Sequence, residues 1–165
     1  MPAVISDASP LICLTHLERF ALLREIYQSV LIPPAVWTEV GERGAQRVEG
    51  RTRAAAVAEG WISREAPRET TLAHAEMAKL GAGEREAIQL AFERRATLLI
   101  DDAQGRAVAL RLGIALSGTL GVLAEAKRRG LIPLVRPEVD RLLAETNFRV
   151  SEAIRRHVLK LAGEL

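Results

Sequence analysis

The stretch LLIDDAQGR, residues 98–106, joins a fully apolar run to two adjacent aspartates, Asp101 and Asp102. A short apolar run that stops at polar residues is typical of a buried strand whose carboxyl end reaches the edge of a sheet. The whole chain contains only four aspartates, so two neighbours at one strand end are a notable concentration. Their position predicts a site at that edge.

Short apolar runs alternate with longer amphipathic segments along the chain. Four runs predict buried strands at 3–6, 29–33, 97–100 and 114–117, and a weaker fifth is predicted at 60–63. The amphipathic segments predict helices at 10–28, 34–42, 50–59, 83–95, 103–112 and 119–130. Strands that alternate with helices favour an α/β fold, in which a mostly parallel sheet is covered on both faces.

Helix boundaries are marked by Ser and Pro. Ser9-Pro10 supplies a cap and a first-turn proline, and Pro33-Pro34 opens another helix. Two further helices are predicted in the C-terminal segment 137–165, with Ser151 as the cap of the second. The polar stretch 42–53, rich in Gly and Arg, predicts a surface loop.

The composition is that of an ordinary globular protein, with 48% hydrophobic residues and a net charge of +2. At 165 residues the chain is expected to form one domain, spanning 1–165. The mild positive charge permits a nucleic-acid partner but does not argue for one. The single cysteine, Cys13, excludes an internal disulfide and a cysteine-rich zinc site. A signal peptide and a membrane span are not predicted, so a cytoplasmic location is expected.

Three of the four aspartates follow predicted strands. Asp7 follows the first run, and Asp101 and Asp102 follow the run at 97–100. Because the carboxyl ends of parallel strands lie at one edge of a sheet, where ligands bind, these side chains are expected to meet. Asp140, in the C-terminal helical segment, is interpreted as a surface charge.

Two glutamates lie on or beside the buried faces of predicted helices. Glu84 comes three residues before Ala87 and four before Ile88, so it shares their apolar face. Glu39 lies beside the buried stripe of its own helix. Since an inward carboxylate is unfavourable unless it meets a cation or hydrogen-bond donors, both glutamates are expected to join the aspartates.

The predicted acidic cluster consists of Asp7, Glu39, Glu84, Asp101 and Asp102. Neighbouring carboxylates repel one another, and they stay ionised together only when a hard cation lies among them. Oxygen ligands without His or Cys nearby favour Mg²⁺ or Mn²⁺ over zinc. Such sites hold phosphate substrates and activate water for in-line attack.

Each residue of the cluster also has a plain structural alternative. Asp7 or Asp102 alone could be a helix cap, and Glu39 or Glu84 alone could be a surface charge. Thr119 could cap a helix, or it could orient an acidic neighbour or a substrate phosphate. The coincidence of so many carboxylates at one edge of one sheet favours the site.

Five segments resemble those of PIN-domain proteins in order and spacing: VISDASPLI, PPAVWTEV, GAGEREAIQLA, LLIDDAQGRAVA and GIALSGTLGVLAEAKRRGLI. The chain resembles in particular a short prokaryotic branch, DUF3368-like and related to VapC-type toxin ribonucleases. The resemblance covers nearly the whole chain. No single motif is specific, whereas the ordered set is.

The resemblance implies roles for individual residues. Asp7 matches the first aspartate of the family, with Ser9 completing an Asp-x-Ser motif, and Glu39 matches the helix glutamate. Glu84 matches a third acidic position at which aspartate is commoner. The fourth position falls at Asp101 or Asp102, and Gly118-Thr119 matches the Gly-Thr after the last core strand. The implied metal ligands are Asp7, Glu84, Asp101 and Asp102; Glu39 completes the implied catalytic set, and Ser9 and Thr119 position substrate.

The resemblance also implies a fold and an activity. The fold is a three-layer α/β/α sandwich with the C-terminal helices 137–165 packed on it. The activity is Mg²⁺- or Mn²⁺-dependent hydrolysis of RNA phosphodiester bonds by an endoribonuclease, the toxin of a type II toxin–antitoxin pair. The implied partners are RNA, a cognate antitoxin and a second copy of the chain in a homodimer.

Three alternatives compete with this interpretation. A PIN-fold protein without nuclease activity could act as a binding or regulatory module. A receiver domain would place its acidic pair near the N-terminus and a lysine after the last core strand, whereas here no lysine follows Thr119 until Lys127. An Asp-x-Asp phosphatase is disfavoured because Asp7 is followed by Ala8-Ser9.

Overall fold

The computed structural model describes residues 3–42, 48–68 and 75–165. Its strands are β1 Val4–Ser6, β2 Val30–Ile32, β3 Ile62–Arg64, β4 Thr97–Leu99 and β5 Leu116–Ser117. They form one sheet in the order β3-β2-β1-β4-β5, and every pairing between them is parallel. The predicted parallel sheet and its fifth strand are therefore confirmed.

Nine α-helices within the described ranges flank this sheet. They are α1 Ala8–His16, α2 Ala21–Tyr27, α3 Pro34–Trp37, α4 Val48–Ala58, α5 Ala82–Arg94, α6 Ala103–Arg111, α7 Thr119–Arg128, α8 Arg136–Glu145 and α9 Glu152–Leu161. A π-helical turn at Thr38–Glu42 and a 3₁₀ turn at Ala75–Lys79 complete the helical structure of these ranges. None of the helices described is long and apolar enough to cross a membrane.

The predicted helix over 10–28 is wrong as a single element. α1 ends at His16 and α2 begins at Ala21, and Glu18 between them has a φ of 58°. A left-handed residue terminates a helix. The break lets Phe20 pack against Trp61 with ring centroids 5.3 Å apart, which is a contact between distant segments that helical periodicity does not encode.

The predicted surface loop over 42–53 is wrong in its second part, because α4 begins at Val48; residues 43–47 lie outside the described ranges. Arg53 of this helix is buried, although the surrounding stretch is polar. Its guanidinium donates to the carbonyl of Val40 at 2.8 Å and to the hydroxyl of Thr15 at 3.1 Å. These contacts satisfy a buried charge and hold α4 against α1 and the π-helical turn.

The strand order places the sequence-predicted aspartates beside one another. It reverses direction between β1 and β4, and ligands of open parallel sheets bind at the carboxyl ends of strands at such a switch point. Asp7 follows β1 directly, and its backbone N–H donates to Leu99 of β4 at 2.9 Å. Asp101 follows β4 after one residue. The two strand ends that the sequence singled out are therefore neighbours.

The C-terminal end of the chain is fastened to α7 and α8 through Glu164. Its carboxylate accepts hydrogen bonds from the backbone N–H groups of Val135 at 2.7 Å and Arg136 at 2.9 Å, and from Lys127 Nζ at 3.1 Å. Burial raises the pKa of Glu164, but these donors lower it more, so the pKa lies below its ordinary value. The carboxylate thus satisfies the amino end of α8.

Glu164→Ala is expected to lower the free energy of unfolding by about 2 kcal/mol, because buried N–H groups lose their acceptor. Urea denaturation measures this loss. The control is Glu125→Ala, which removes a carboxylate paired with the exposed Arg128 and with Arg129. A pair of that kind contributes under about 1 kcal/mol. Equal losses in the two variants would contradict a fastening role for Glu164.

Candidate active site

Asp7 lies between β1 and α1 and is only 4% exposed. It occupies the N-cap position of α1, yet its side chain makes no capping hydrogen bond there. Burial raises its pKa from 3.8 to about 7; the N–H of Ala8 lowers it, and the charges of Glu84, Glu39 and Asp101 raise it further. Asp7 is therefore a buried carboxyl surrounded by other carboxylates.

Asp101 is held by three hydrogen bonds. Its Oδ1 accepts from the backbone N–H of Thr119 at 2.8 Å. Its Oδ2 accepts from the hydroxyls of Thr119 at 2.6 Å and Ser9 at 2.8 Å. Ser9, which was predicted to cap a helix, thus binds Asp101 across the sheet edge instead, and α1 begins at Ala8.

The ends of β4 and β5 are packed tightly around Asp101. A Cβ at Gly118 would lie 2.7 Å from Asp101 Oδ1 and 2.9 Å from the carbonyl oxygen of Ile100, so only glycine fits without a shift. Arg106 donates to the carbonyls of Ile100 at 2.7 Å and Ser117 at 2.9 Å. Sequence reasoning missed Arg106, because nothing in the helical pattern separates it from a surface arginine.

Asp102 has a different role from its neighbour. It is the N-cap of α6, and its Oδ2 accepts from the backbone N–H of Gly105 at 2.7 Å. The capping alternative therefore describes Asp102 and does not describe Asp7. Asp102 is exposed and also borders the cleft.

The side chains of Glu39 and Glu84 lie beside two glycines, Gly83 in α5 and Gly81 at its N-cap. A Cβ at Gly83 would lie 2.5 Å from Glu39 Oε1 and 3.5 Å from Asp7 Oδ1, so both carboxylates contact the space that glycine leaves. A Cβ at Gly81 would lie 2.5 Å from Glu84 Oε2. The Glu84 side chain therefore lies over the amino end of its own helix, where the helix dipole favours negative charge.

All five predicted carboxylates line one cleft of about 1020 Å³. Another part of its lining comes from residues 144–149, at the end of α8 and in the connection to α9. This segment includes Phe148 and Arg149, which sequence reasoning did not single out. No periodic or motif signal marks the connection, because only the packing of α8 brings it to the cleft.

The donor set fits a hard divalent cation by its chemistry, since it consists of carboxylate oxygens whose mutual repulsion a cation would relieve. Within the described part of the chain, however, no three His, Cys, Asp or Glu side chains are arranged so that they could hold a metal ion. Asp101 already accepts three hydrogen bonds, and Glu84 lies over its own helix.

Comparisons with known proteins agree with the fold. In solved structures, a PilT N-terminus domain protein from the hyperthermophilic archaeon Sulfolobus solfataricus matches with a TM-score of 0.55 and 19% identity, over 75% of this chain and 92% of that chain. At this identity the likeness shows the fold alone. The comparison with curated proteins finds no match. Residues 3–164 match the family DUF3368, described as a PIN domain. The chain therefore belongs to the PIN-domain family, which is generally related to nucleases.

Proposed function

We propose that the protein is an endoribonuclease that hydrolyses RNA phosphodiester bonds with Mg²⁺ or Mn²⁺. The observation that supports it best is that Asp7, Glu39, Glu84 and Asp101 line one cleft at the switch point of a PIN-type sheet. Asp7, Glu84 and Asp101 are the proposed metal ligands, with Asp102 at the margin. When bound, the cation supplies neutralisation of phosphate charge and an activated water.

The other proposed roles in the reaction belong to side chains of the protein itself. Ser9 and Thr119 fix the orientation of Asp101 through its two oxygens. Without a cation, burial and the neighbouring carboxylates raise the pKa of Asp7 to about 7, and a cation held by Asp7 would favour its ionised form. Glu84 lies over the amino end of α5, so it would hold a cation together with Asp7 and Asp101 only with its side chain in another rotamer.

The finer part of the proposal concerns partners. The chain acts as the toxin of a type II pair, its cognate antitoxin covers the acidic cleft, and the toxin forms a homodimer. An open cleft lined by carboxylates suits a cationic protein segment. Light scattering of the purified chain tests the dimer. A dimeric mass is expected, and a monomeric mass at all concentrations would contradict the proposed homodimer.

A second candidate is a PIN-fold binding module without nuclease activity. The specific observation in its favour is that the described carboxylates, as they stand, form no metal-holding group of three. Such a protein would act as a binding or regulatory module and would leave RNA intact.

The deciding experiment incubates purified protein with a mixed, structured RNA pool in Mg²⁺, Mn²⁺ or EDTA, beside Asp101→Asn. Cuts that need metal and disappear in the variant support the nuclease. RNA that is bound but stays intact with either metal supports the binding module.

Gly83→Ala is expected to reduce cleavage while leaving stability unchanged or slightly higher. The new methyl group displaces Glu39 from its place beside Asp7, whereas alanine is favoured over glycine in a helix by about 1 kcal/mol. Initial cleavage rates and urea denaturation measure the two effects.

The control on the same helix is Glu86→Gln. Glu86 accepts from the backbone N–H of Ala35 at 3.2 Å, and glutamine keeps an acceptor for this contact. Its cleavage rate is expected to match wild type. A Gly83→Ala variant that cleaves as fast as Glu86→Gln would show that Glu39 has no part in the reaction.

A further inference from the structure

The acidic cleft contains one cation among its described lining residues, Arg149. The carboxylates that share the lining with it are Asp7, Glu39, Glu84, Asp101, Asp102 and Glu145. The position of a lone arginine at the border of such a cleft is explained neither by the fold nor by the proposed metal chemistry.

Arg149 forms no ion pair with a carboxylate in the described part of the chain. Its Nη1 donates only to backbone carbonyls, those of Phe148 at 2.8 Å and Thr146 at 3.3 Å. Arginines on the two flanking helices behave differently, because Arg141 pairs with Glu145 and Arg155 pairs with an aspartate of α8. The exposed guanidinium of Arg149 therefore keeps most of its donors for another acceptor.

The connection that carries Arg149 is anchored on both sides. At the end of α8, the hydroxyl of Thr146 donates to Leu142 at 2.6 Å and accepts from the N–H of Phe148 at 3.0 Å. Phe148 packs against the core, and Ser151 caps α9 as the sequence predicted. Holding the backbone in this way lowers the entropy lost when the side chain binds a ligand.

We propose that Arg149 is a substrate-binding residue that contacts an RNA phosphate next to the one being hydrolysed. The inference rests on the proposed ribonuclease function and deepens it. A strand of RNA carries a negative charge at every nucleotide, and the carboxylates repel each phosphate that no cation neutralises. Arginine presents a planar set of donors that matches phosphate oxygens, so Arg149 offsets this repulsion at the cleft border.

The test measures RNA binding without cleavage. Fluorescence anisotropy of a labelled single-stranded oligouridylate is followed in Mg²⁺ with the Asp7→Asn protein as the background. Adding Arg149→Gln is expected to weaken binding about fivefold at about 0.1 M salt and to reduce the slope of log affinity against log salt by about 0.7. Adding Arg149→Lys keeps the charge and is expected to keep the slope.

The matched control is Arg156→Gln, which removes an exposed arginine of α9 that does not line the cleft. It is expected to leave both affinity and slope unchanged. An Arg149→Gln variant with an unchanged slope, or an equal loss in Arg156→Gln, would overturn the role of Arg149 alone. A background protein that binds no RNA, together with a wild type that cuts none, would overturn the ribonuclease proposal and this inference with it.

Discussion

Asp7→Asn is expected to abolish metal-dependent RNA cleavage. In the absence of metal and at pH values above neutrality, the variant is expected to have a higher melting temperature than the wild type. The loss follows from removing a proposed ligand at the most buried carboxyl of the cleft. The gain follows from the raised pKa, which shows that the folded protein disfavours the ionised form of Asp7. Activity and stability should therefore move in opposite directions.

The stability that Asp7→Asn gains over the wild type depends on pH. Between pH 3.8 and about 7 the folded protein retains a proton on Asp7 that the unfolded chain has released, so wild-type stability falls as the pH rises through this window. Above about pH 7 the full penalty is present, on the order of 4 kcal/mol. Asparagine does not ionise, so the variant escapes the penalty and is expected to melt several degrees higher at about pH 8.

Thermal unfolding in EDTA at about pH 4 and about pH 8 measures the effect. The control is Asp140→Asn, which changes an exposed aspartate paired with Arg155, and its difference from wild type should be small at both pH values. A gap between Asp7→Asn and wild type that is the same at both pH values would show that Asp7 ionises normally. Added Mg²⁺ should raise the melting temperature of wild type more than that of Asp7→Asn, because a ligand that binds the native state stabilises it.

Asp101→Asn is expected to reduce cleavage by at least about a hundredfold, whereas Asp102→Asn is expected to retain activity close to wild type. Loss of a residue that only orients a metal ligand reduces metal affinity or activity by up to about a hundredfold. Asp101 is itself a proposed ligand, so its replacement is expected to reduce cleavage at least as much. Asparagine at 101 would also direct an amide N–H₂ toward Thr119 or Ser9, both of which donate to the present carboxylate. Asparagine at 102 remains a good N-cap for α6.

Single-turnover cleavage rates of the two variants, beside their urea unfolding curves, provide the comparison. Asp102→Ala, which removes the acceptor for Gly105, should lower stability by about 1 kcal/mol and leave cleavage largely intact. If Asp102→Asn were inactive and Asp101→Asn active, the assignment of the two adjacent aspartates would have to be exchanged.

Much of the fold follows from local pattern. The five apolar runs overlap the five strands, and the three inner strands β1, β2 and β4 are largely buried, as parallel strands covered on both faces require. The edge strands β3 and β5 are more exposed. Pro33-Pro34 and Ser151 began their helices as expected, since fixed φ and capping act within one turn. Local pattern failed where a distant contact decided, as in the break between α1 and α2 beside the packing of Phe20 on Trp61.

The sequence by itself indicated which carboxylates lie together. The three aspartates follow parallel strands, whose carboxyl ends share one edge of a sheet, and the two glutamates were placed by the periodicity of their helices. The sequence left Asp101 and Asp102 equivalent. Only the tertiary structure separated them, since the donors to Asp101 come from Ser9 and Thr119, far away along the chain, while the donor to Asp102 is three residues away. The positions of Arg106 and Arg149 were decided in the same way: a guanidinium on a surface helix or connection has no sequence signature, and its partners depend on which elements pack beside it.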